Sequence, residues 1–386
     1  MGIKEMLGME SNRKVRYAIV GLGDIAQEDM MPGVKHTENS EITALVTSDP
    51  DKARELGGKY AVDALFKYEE FDPALESDIF DAIYIATPNW RHAEFIIPAL
   101  KAGIHVLTEK PLEVSTEKCN EILAAKKASS AKLMVAYRLH FEPATLDSIE
   151  KIRSGALGDV HLFASTFAQM VDPKNHRVHY GELAGPVLDM GAYPVNAARY
   201  IFEDEPVEVA SATGTKHPNS GYKQDFYDTV AVTLRFPANK LAQFNVSYFG
   251  GPIDSFTVVG TEGILELNPA YTFGRSLEQV LGVKGKQESH SFKNTDQFGG
   301  ELKYFSDCIL NDEDPEPGAE EGFADVRVLE GILTALQTGQ SVPLAPFKRS
   351  RRIDPDRQRM TLSAVSTPEL VHAENPGRDT EKKSKN

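Results

Sequence analysis

Three side chains in this sequence combine chemical reactivity with a suggestive spacing. Lys110 follows Glu109 directly after a short apolar run, so the sequence predicts a lysine at the end of a strand. Asp189 and Tyr193 are four residues apart, which on a helix would place both side chains on one face. An ammonium group, a carboxylate and a phenol could together orient a hydroxyl and remove its proton. A solvated surface lysine, a capping Asp and a packed Tyr are the alternative interpretations.

A glycine-rich turn follows the first predicted strand, residues 16–20. Gly21 permits a tight turn, Gly23 lets the backbone approach a pyrophosphate, and Ala26 allows close packing of helix on strand. The amides at the start of the next helix, including Asp24 and Ile25, would then face the phosphates. The position of this turn between a strand and a helix predicts dinucleotide binding.

The residues after the second predicted strand bear on the choice of dinucleotide. NAD-binding domains place an Asp or Glu there to hold the ribose 2′-hydroxyl, and that carboxylate would repel a 2′-phosphate. Here the strand ends in Thr47 and Ser48, with Lys52 shortly after, which suits a phosphate. Asp49 could instead hold the ribose of NAD. We therefore expect NADP in preference to NAD.

These blocks together resemble the glucose-fructose oxidoreductase / inositol dehydrogenase / MocA family. The similarity rests on the glycine turn, on Thr87-Pro88-Asn89-x-x-His92, on Glu109-Lys110-Pro111 and on Asp189-x-Gly191-x-Tyr193, in this order. The resemblance implies hydride transfer, with Lys110 beside the nicotinamide and with the block from Thr87 to His92 lining the nicotinamide ribose. Ordinary turn chemistry, with His92 capping a helix, is the alternative for that block.

The resemblance also implies roles for the candidate catalytic residues. Tyr193 would be the base, Lys110 the cation that steadies the developing oxyanion or itself relays the proton, and Asp189 the residue that orients a neighbouring sugar hydroxyl. The implied cofactor contacts are Gly21, Gly23, Asp24, Ile25, Thr47, Ser48, Lys52, Thr87, Pro88, Asn89, His92, Glu109, Lys110 and Arg138. The implied substrate contacts are Lys110, Tyr137, His140, Arg177, Asp189 and Tyr193. Packing or structural hydrogen bonding is the alternative for Tyr137, Arg138, His140 and Arg177.

Tyr at position 193 resembles the aldose-oxidising members, whereas inositol dehydrogenase-like members have His there. The leading expectation is NADP-dependent oxidation of D-xylose or D-glucose at C1 to the aldonolactone. A sugar–sugar oxidoreductase that retains its cofactor is the second possibility, and a dehydrogenase acting on another polyol, keto-sugar or diol is the third. A non-catalytic protein that senses NADP or a sugar is the fourth.

The elements that must position these residues fall into two domains and a tail. Strand and helix patterns alternate over residues 14–136, which predicts a Rossmann domain with a parallel sheet between helices. Residues 137–345 show β-rich stretches with alternating polarity and three helical segments, which predicts an α+β domain with a large, open, mostly antiparallel sheet. Residues 346–386 are basic and without periodicity, consistent with a solvated tail or a strap along the surface.

The composition of the chain limits the classes of partner that it could bind. The net charge of −15 over 386 residues argues against nucleic-acid binding. No run of apolar residues is long enough to span a membrane and no signal core is evident, so a cytoplasmic protein is expected. His176 and His179 lack a third ligand at metal-binding spacing, and no metal is expected. The resemblance implies a homodimer, or a dimer of dimers, through the second sheet.

Overall fold

Two β-sheets, one parallel and one mostly antiparallel, form the frame of the protein. The computed structural model describes residues 13–373 apart from residues 224 and 367. The parallel sheet has six strands in the order β3-β2-β1-β4-β5-β6, the order of a dinucleotide-binding fold. Its strands are β1 (Val15–Val20), β2 (Ser40–Val46), β3 (Ala64–Phe66), β4 (Ala82–Ile85), β5 (His105–Glu109) and β6 (Leu133–Ala136). The predicted Rossmann sheet is confirmed, and β3, with only three residues, was not predicted.

Helices cover the first sheet, and two of them have an N-terminus that is capped by a side chain. They are α1 (Met31–Gly33), α2 (Pro50–Tyr60), α3 (Phe71–Leu75), α4 (His92–Lys101) and α5 (Thr116–Lys127). Asp49 caps α2 by accepting from two backbone N–H groups, and Ser115 caps α5 by accepting from the N–H of Lys118. Between β1 and β2 the chain is helical over residues 24–36, close to the helix predicted over residues 24–35, and its middle is a π-helical turn (Ala26–Met30) that continues into α1.

The second sheet has nine strands in the order β14-β13-β12-β11-β7-β10-β9-β8-β15. Its strands are β7 (Val160–Met170), β8 (Glu208–Thr215), β9 (Thr229–Arg235), β10 (Leu241–Ser247), β11 (Phe249–Gly260), β12 (Gly263–Leu267), β13 (Leu277–Val283), β14 (Lys286–Phe292) and β15 (Val342–Pro343). All pairs are antiparallel except β7 with β10. The predicted open, mostly antiparallel sheet is therefore confirmed.

The remaining helices follow β6 in sequence, and several of them contact the second sheet. They are α6 (Pro143–Arg153), α7 (Pro186–Asp189), α8 (Ala192–Phe202), α9 (Gln297–Leu310), α10 (Ala319–Thr338) and α11 (Pro355–Gln358). Helix α9 also contacts β1, β2 and β5, and its Ser306 shares a buried hydrogen bond with Tyr17 of β1. Helix α10 contacts α5 and β6 as well as β8. These two helices therefore join the second domain to the first.

The C-terminal strap, defined here as residues 346–373 without residue 367, runs from the second domain back to the first. Ile353 and Gln358 are buried, and the Gln358 side chain donates to Glu316 Oε2 at 2.7 Å. Val371 is buried against the first domain. Over its described part the predicted tail runs as a strap along the surface, and residues 374–386 of that prediction lie outside the described residues. None of the helices in the described part of the chain is long and apolar enough to cross a membrane.

Candidate active site

A cleft of about 1030 Å³ lies between the two domains, at the carboxyl ends of the first sheet's strands. The turns after β1, β2, β4 and β5 line one side, and residues from α7, α8, β7 and β10–β11 line the other. Strands β1 and β4 are neighbours although two strands separate them in sequence, so the strand order reverses here. In open α/β sheets a crevice at this position binds ligands.

The glycine turn has the shape that a pyrophosphate requires. Gly21 has φ +89°, and a Cβ there would come within 2.7 Å of the Ala86 carbonyl oxygen, so a side chain is excluded. A Cβ on Gly23 would meet no atom within 4 Å, which leaves open space on the cleft wall. Asp24 and Ile25 line the same wall. The turn therefore fits a dinucleotide.

The end of β2 offers two hydroxyls and an ammonium group to the cleft. Thr47, Ser48 and Lys52 all line it, as the sequence predicted for a 2′-phosphate site. Asp49 also reaches the cleft, but Oδ1 accepts from the N–H groups of Asp51 (3.1 Å) and Lys52 (3.0 Å). These bonds and the neighbouring His372 lower the pKa of Asp49.

Lys110 and Asp189 are in direct contact. Lys110 Nζ donates to the Asp189 carbonyl at 3.0 Å and to Asp189 Oδ1 at 3.2 Å. It also lies 4.6 Å from the centre of the Tyr193 ring. Burial favours the neutral amine, but the neighbouring Tyr193, Asp189 and Glu109 raise the pKa of Lys110. The lysine is thus a cation held between the two other candidate catalytic residues.

Asp189 is held ionised by its surroundings. Tyr248 donates to Asp189 Oδ2 at 2.8 Å, and Arg177 Nε lies 3.3 Å from the same oxygen. Burial opposes the charge, but Lys110 and Arg177 hold the pKa of Asp189 well below its usual range. Arg177 Nη1 also lies 3.7 Å from Asp24 Oδ2, so this one side chain links the glycine turn to Asp189.

Tyr193 stands at the start of α8 with its hydroxyl next to a second cation. Arg138 Nη2 donates to Tyr193 Oη at 3.2 Å, and the Phe167 and Tyr193 rings pack in a T-shaped arrangement. Arg138 is buried, and its guanidinium also bonds to Gln297 and to the Tyr271 carbonyl. The sequence placed Arg138 among the cofactor contacts, and in the structure it lines the cleft with its guanidinium against Tyr193. Two cations therefore flank the phenol.

Two histidines lie away from the cleft, which corrects their expected positions. His92 is fully buried, with Nδ1 2.9 Å from the Pro111 carbonyl and Nε2 3.1 Å from the Thr87 carbonyl. Burial lowers the pKa of His92 to about 4, so the neutral ring can donate to one of these carbonyls. It ties together the turns after β4 and β5, while Thr87, Pro88 and Asn89 do line the cleft.

His140 is the second correction. It was expected in the sugar pocket but is fully buried, with Nε2 2.7 Å from Asn196 Oδ1 and Nδ1 3.3 Å from Glu316 Oε2. Burial opposes its protonation, yet Glu316 raises the pKa of His140. Its role is structural. The adjacent Tyr137 and the predicted Glu109 line the cleft, and Glu109 accepts a hydrogen bond from the hydroxyl of Tyr84 at 2.7 Å.

Several cleft residues were not predicted. Tyr248 contacts Asp189, and Trp90 packs on Tyr180 across the cleft with ring centres 3.8 Å apart. Trp90 lies inside the Thr87–His92 block, so its position in the cleft could have been predicted from that block. Tyr248 and Tyr180 belong to no recognisable sequence motif.

The two histidines considered for a metal site, His176 and His179, do not act as a pair. His176 lines the cleft, while His179 Nε2 lies 3.2 Å from the Lys174 carbonyl. In the described residues no three His, Cys, Asp or Glu side chains are arranged to hold a metal ion.

Comparison with protein families gives two matches along the chain. Residues 15–137 match an oxidoreductase family described as having an NAD-binding Rossmann fold, GFO/IDH/MocA. Residues 148–266 match the GFO/IDH/MocA C-terminal domain. The two matches cover most of both sheets.

Similar proteins are found among curated sequences and solved structures. A D-xylose 1-dehydrogenase [NADP(+)] from Haloarcula marismortui is 30% identical over 342 residues, covering 86% of this chain and 94% of that protein. A D-xylose 1-dehydrogenase (NADP(+)) from Haloferax volcanii is 26% identical, covering 85% and 99%. The crystal structure of an aldose-aldose oxidoreductase from Caulobacter crescentus, in complex with glycerol, is 32% identical with a TM-score of 0.81, covering 86% and 100%.

Proposed function

Because the chain belongs to the GFO/IDH/MocA oxidoreductase family, we propose that it oxidises an aldose at C1 to the aldonolactone, with NADP⁺ as hydride acceptor. D-xylose and D-glucose are the proposed substrates. The observation that carries this proposal is the contact among Lys110, Asp189 and Tyr193 in the cleft that begins at the glycine turn. The similar D-xylose 1-dehydrogenases support the choice of sugar and cofactor.

The chemistry requires that C1 loses a hydride and its hydroxyl loses a proton as the C=O bond forms. When bound, NADP⁺ supplies the carbon that accepts the hydride. We assign proton removal to Tyr193, whose hydroxyl lies next to Arg138. Lys110 places positive charge where the sugar oxygen becomes negative, and Asp189, kept ionised, orients a neighbouring hydroxyl.

The end of β2 supports NADP over NAD. Thr47, Ser48 and Lys52 provide donors and a cation for a phosphate. The carboxylate that could serve the ribose of NAD, Asp49, already caps α2. NADP is therefore the proposed cofactor.

A second candidate function is oxidation of one sugar coupled to reduction of another with a cofactor that stays bound. The similarity to the Caulobacter crescentus aldose-aldose oxidoreductase favours it. A protein that only senses NADP or a sugar would not need the contact between Lys110 and Asp189, so we rank it last.

We also propose a homodimer, or a dimer of dimers, through the open face of the second sheet. Leu241 is in register with Leu162, Leu162 with Val259, and Val259 with Ile264. These four side chains form an apolar row across β10, β7, β11 and β12, and Leu241 and Ile264 are exposed. A second copy is the occupant that would cover this row.

The function is tested with purified protein, excess NADP⁺ and a panel of aldoses, following the absorbance of the reduced nicotinamide. Product far exceeding the enzyme supports the dehydrogenase and identifies its sugar. A single rise no larger than the enzyme concentration, extended by adding a second sugar, would instead support sugar–sugar transfer.

The variant Lys110→Ala tests whether turnover depends on this lysine. We expect it to lose turnover while still binding NADP⁺, because Lys110 contacts Asp189 and Tyr193, while the glycine turn and the residues at the end of β2 are unchanged. No turnover by the wild type with any sugar or sugar pair would contradict both candidate functions.

A further inference from the structure

The C-terminal strap reaches the end of β2, where the cofactor is expected to be distinguished. His372 Nδ1 lies 3.1 Å from Asp49 Oδ2, while Asp49 Oδ1 accepts from the first amides of α2. Both oxygens of this carboxylate are therefore engaged. The partners of Oδ1 are the nearby amides of α2, whereas the partner of Oδ2, His372, is more than 300 residues away in sequence.

The strap is held in place at this point by three further contacts. The N–H of Val371 donates to Gln27 Oε1 at 2.7 Å, and Gln27 Nε2 returns a hydrogen bond to the Val371 carbonyl at 2.9 Å. Lys59 Nζ donates to the Glu369 carbonyl at 2.9 Å. Val371 and Gln27 are both buried. The backbone next to His372 is thus fixed to the helical segment after the glycine turn and to α2.

The chemistry of Asp49 gives this contact a consequence. A carboxylate at the end of the second strand accepts a hydrogen bond from a ribose 2′-hydroxyl and repels a 2′-phosphate. A protein side chain that donates a hydrogen bond to that carboxylate competes with the ribose 2′-hydroxyl for it. The same hydrogen bond reduces the repulsion between the carboxylate and a 2′-phosphate. Asp49, Thr47, Ser48 and Lys52 all line this end of the cleft, so the effect acts where the phosphate would lie.

We propose that the C-terminal strap is a specificity-determining element, in which His372 engages Asp49 and so favours NADP over NAD. The proposal rests on the proposed function, because it assumes a nicotinamide dinucleotide in this cleft. His372 acts through Asp49 and is a positioning residue. It lies outside the reacting part of the site, so its effect falls on cofactor selection.

The test compares the full-length wild type with His372→Ala, using NADP⁺ and NAD⁺ at saturating sugar. We expect the ratio of kcat/KM for NADP⁺ to that for NAD⁺ to fall about fivefold, the usual net contribution of one hydrogen bond, through KM for NADP⁺ and with kcat unchanged. His36→Ala is the matched control, because His36 Nδ1 lies 3.1 Å from Asp296 Oδ2 and neither residue lines the cleft. The control should keep the wild-type ratio.

A second pair of variants separates this mechanism from a general loss of structure. In Asp49→Asn the carboxylate is gone, so adding His372→Ala should leave the ratio unchanged. An unchanged ratio in His372→Ala alone, or the same fall in the Asp49→Asn background, would overturn the proposal. Calorimetric titration of NADP⁺ and NAD⁺ gives the same ratio without sugar, so the strap is tested even if the proposed substrate is wrong.

Discussion

At the scale of single residues, the site places one phenol between two cations. Lys110 lies over the ring of Tyr193 and Arg138 donates to its hydroxyl, so negative charge at this oxygen, or at a substrate oxygen beside it, is stabilised from two directions. Neither cation is free to leave, because Lys110 is bonded to Asp189 and Arg138 to Gln297.

Tyr193→Phe tests the role of the hydroxyl. We expect kcat to fall by about 10²–10⁴, the usual contribution of a general base, while KM for NADP⁺ stays near the wild-type value. Steady-state kinetics measures both, and Tyr60→Phe, outside the cleft, serves as the control. A variant that keeps more than a tenth of the wild-type kcat, a limit about tenfold above the expected range, would refute this role.

Motifs identified much of the site, but contacts between distant segments could not be read from the sequence. Lys110, Asp189 and Tyr193 stand in recognisable blocks. Tyr248 reaches Asp189 only because β10 and β11 pair with β7, a register that sequence patterns do not specify. The sequence predicted His140 as a sugar contact. In the structure both of its ring nitrogens are instead hydrogen-bonded inside the protein, to Glu316 and Asn196, which are far away in sequence.

At the scale of elements, the turn after β1 depends on two glycines for different reasons. Gly21→Ala should impair folding, because its positive φ and the Ala86 carbonyl leave no room for a side chain. Gly23→Ala should fold normally, because nothing lies near the added Cβ, but it should weaken NADP⁺ binding at least about tenfold by filling the space needed by the pyrophosphate.

Thermal unfolding and calorimetric titration distinguish these two outcomes. A Gly23→Ala variant that binds NADP⁺ as tightly as the wild type would mean that the pyrophosphate does not lie against this turn. A Gly21→Ala variant with wild-type stability would show that the turn can shift away from Ala86.

Helix α8, which carries Tyr193, is fixed to α10 by a buried ionic cluster. Arg199 has no exposed side-chain surface, bonds to Glu205 and Glu321, and also pairs with Asp325. The adjacent arginines, Arg199 and Arg349, lower the pKa of Glu321 to about 2 despite its burial. The cluster therefore holds the helix in one position relative to the rest of the second domain.

Arg199→Met should cost about 3–5 kcal/mol of unfolding free energy, because it removes a cation that pairs with three buried carboxylates. Urea unfolding measures this change. Arg54→Met, which breaks an exposed ion pair with Asp51, should cost less than about 1 kcal/mol. Equal losses in the two variants would show that the buried cluster is not important for stability.

The strands show which elements local patterns can predict. Alternating polarity predicted β10, whereas all of β14 except Phe292 is exposed and has no alternation to detect. The β13–β14 hairpin turns at Lys284 and Gly285, both with positive φ, and only Gly285 gave a local signal. Edge strands that bury little are stabilised mainly by pairing, which depends on the rest of the fold.

At the scale of the whole molecule, buried carboxyls make stability depend on pH. Burial, with a smaller contribution from Glu28, raises the pKa of Asp29 to about 8, and Glu301 is fully buried with its pKa also raised by burial. An unfolded Asp has a pKa of about 3.9, so between these values the folded state binds the extra proton. This contribution to stability is present below about pH 4 and is lost as pH rises through about 8.

Asp29→Asn should therefore flatten the fall in melting temperature between about pH 6 and pH 9, and stabilise the protein relative to the wild type at the upper end. Differential scanning calorimetry across this range measures the difference, with Asp63→Asn as an exposed control. Parallel curves for Asp29→Asn and the wild type would contradict the raised pKa.

The apolar row on the second sheet leads to a prediction about assembly. Leu162→Lys places a charge at its centre and should convert a dimer into monomers at micromolar concentration, as measured by sedimentation velocity. Leu310→Lys changes an exposed leucine at the end of α9 and should leave the mass unchanged. A monomeric wild type would remove the basis for this interface.

The pairing of Trp90 with Tyr180 has an optical consequence. Trp90 is the single tryptophan of the chain, and it lies on the cleft wall beside the block that follows β4. Its emission therefore reports on one place in the molecule, and reduced nicotinamide nearby would absorb that emission by resonance energy transfer. The protein thus carries an intrinsic fluorophore through which the loading and release of its cofactor can be followed without a label.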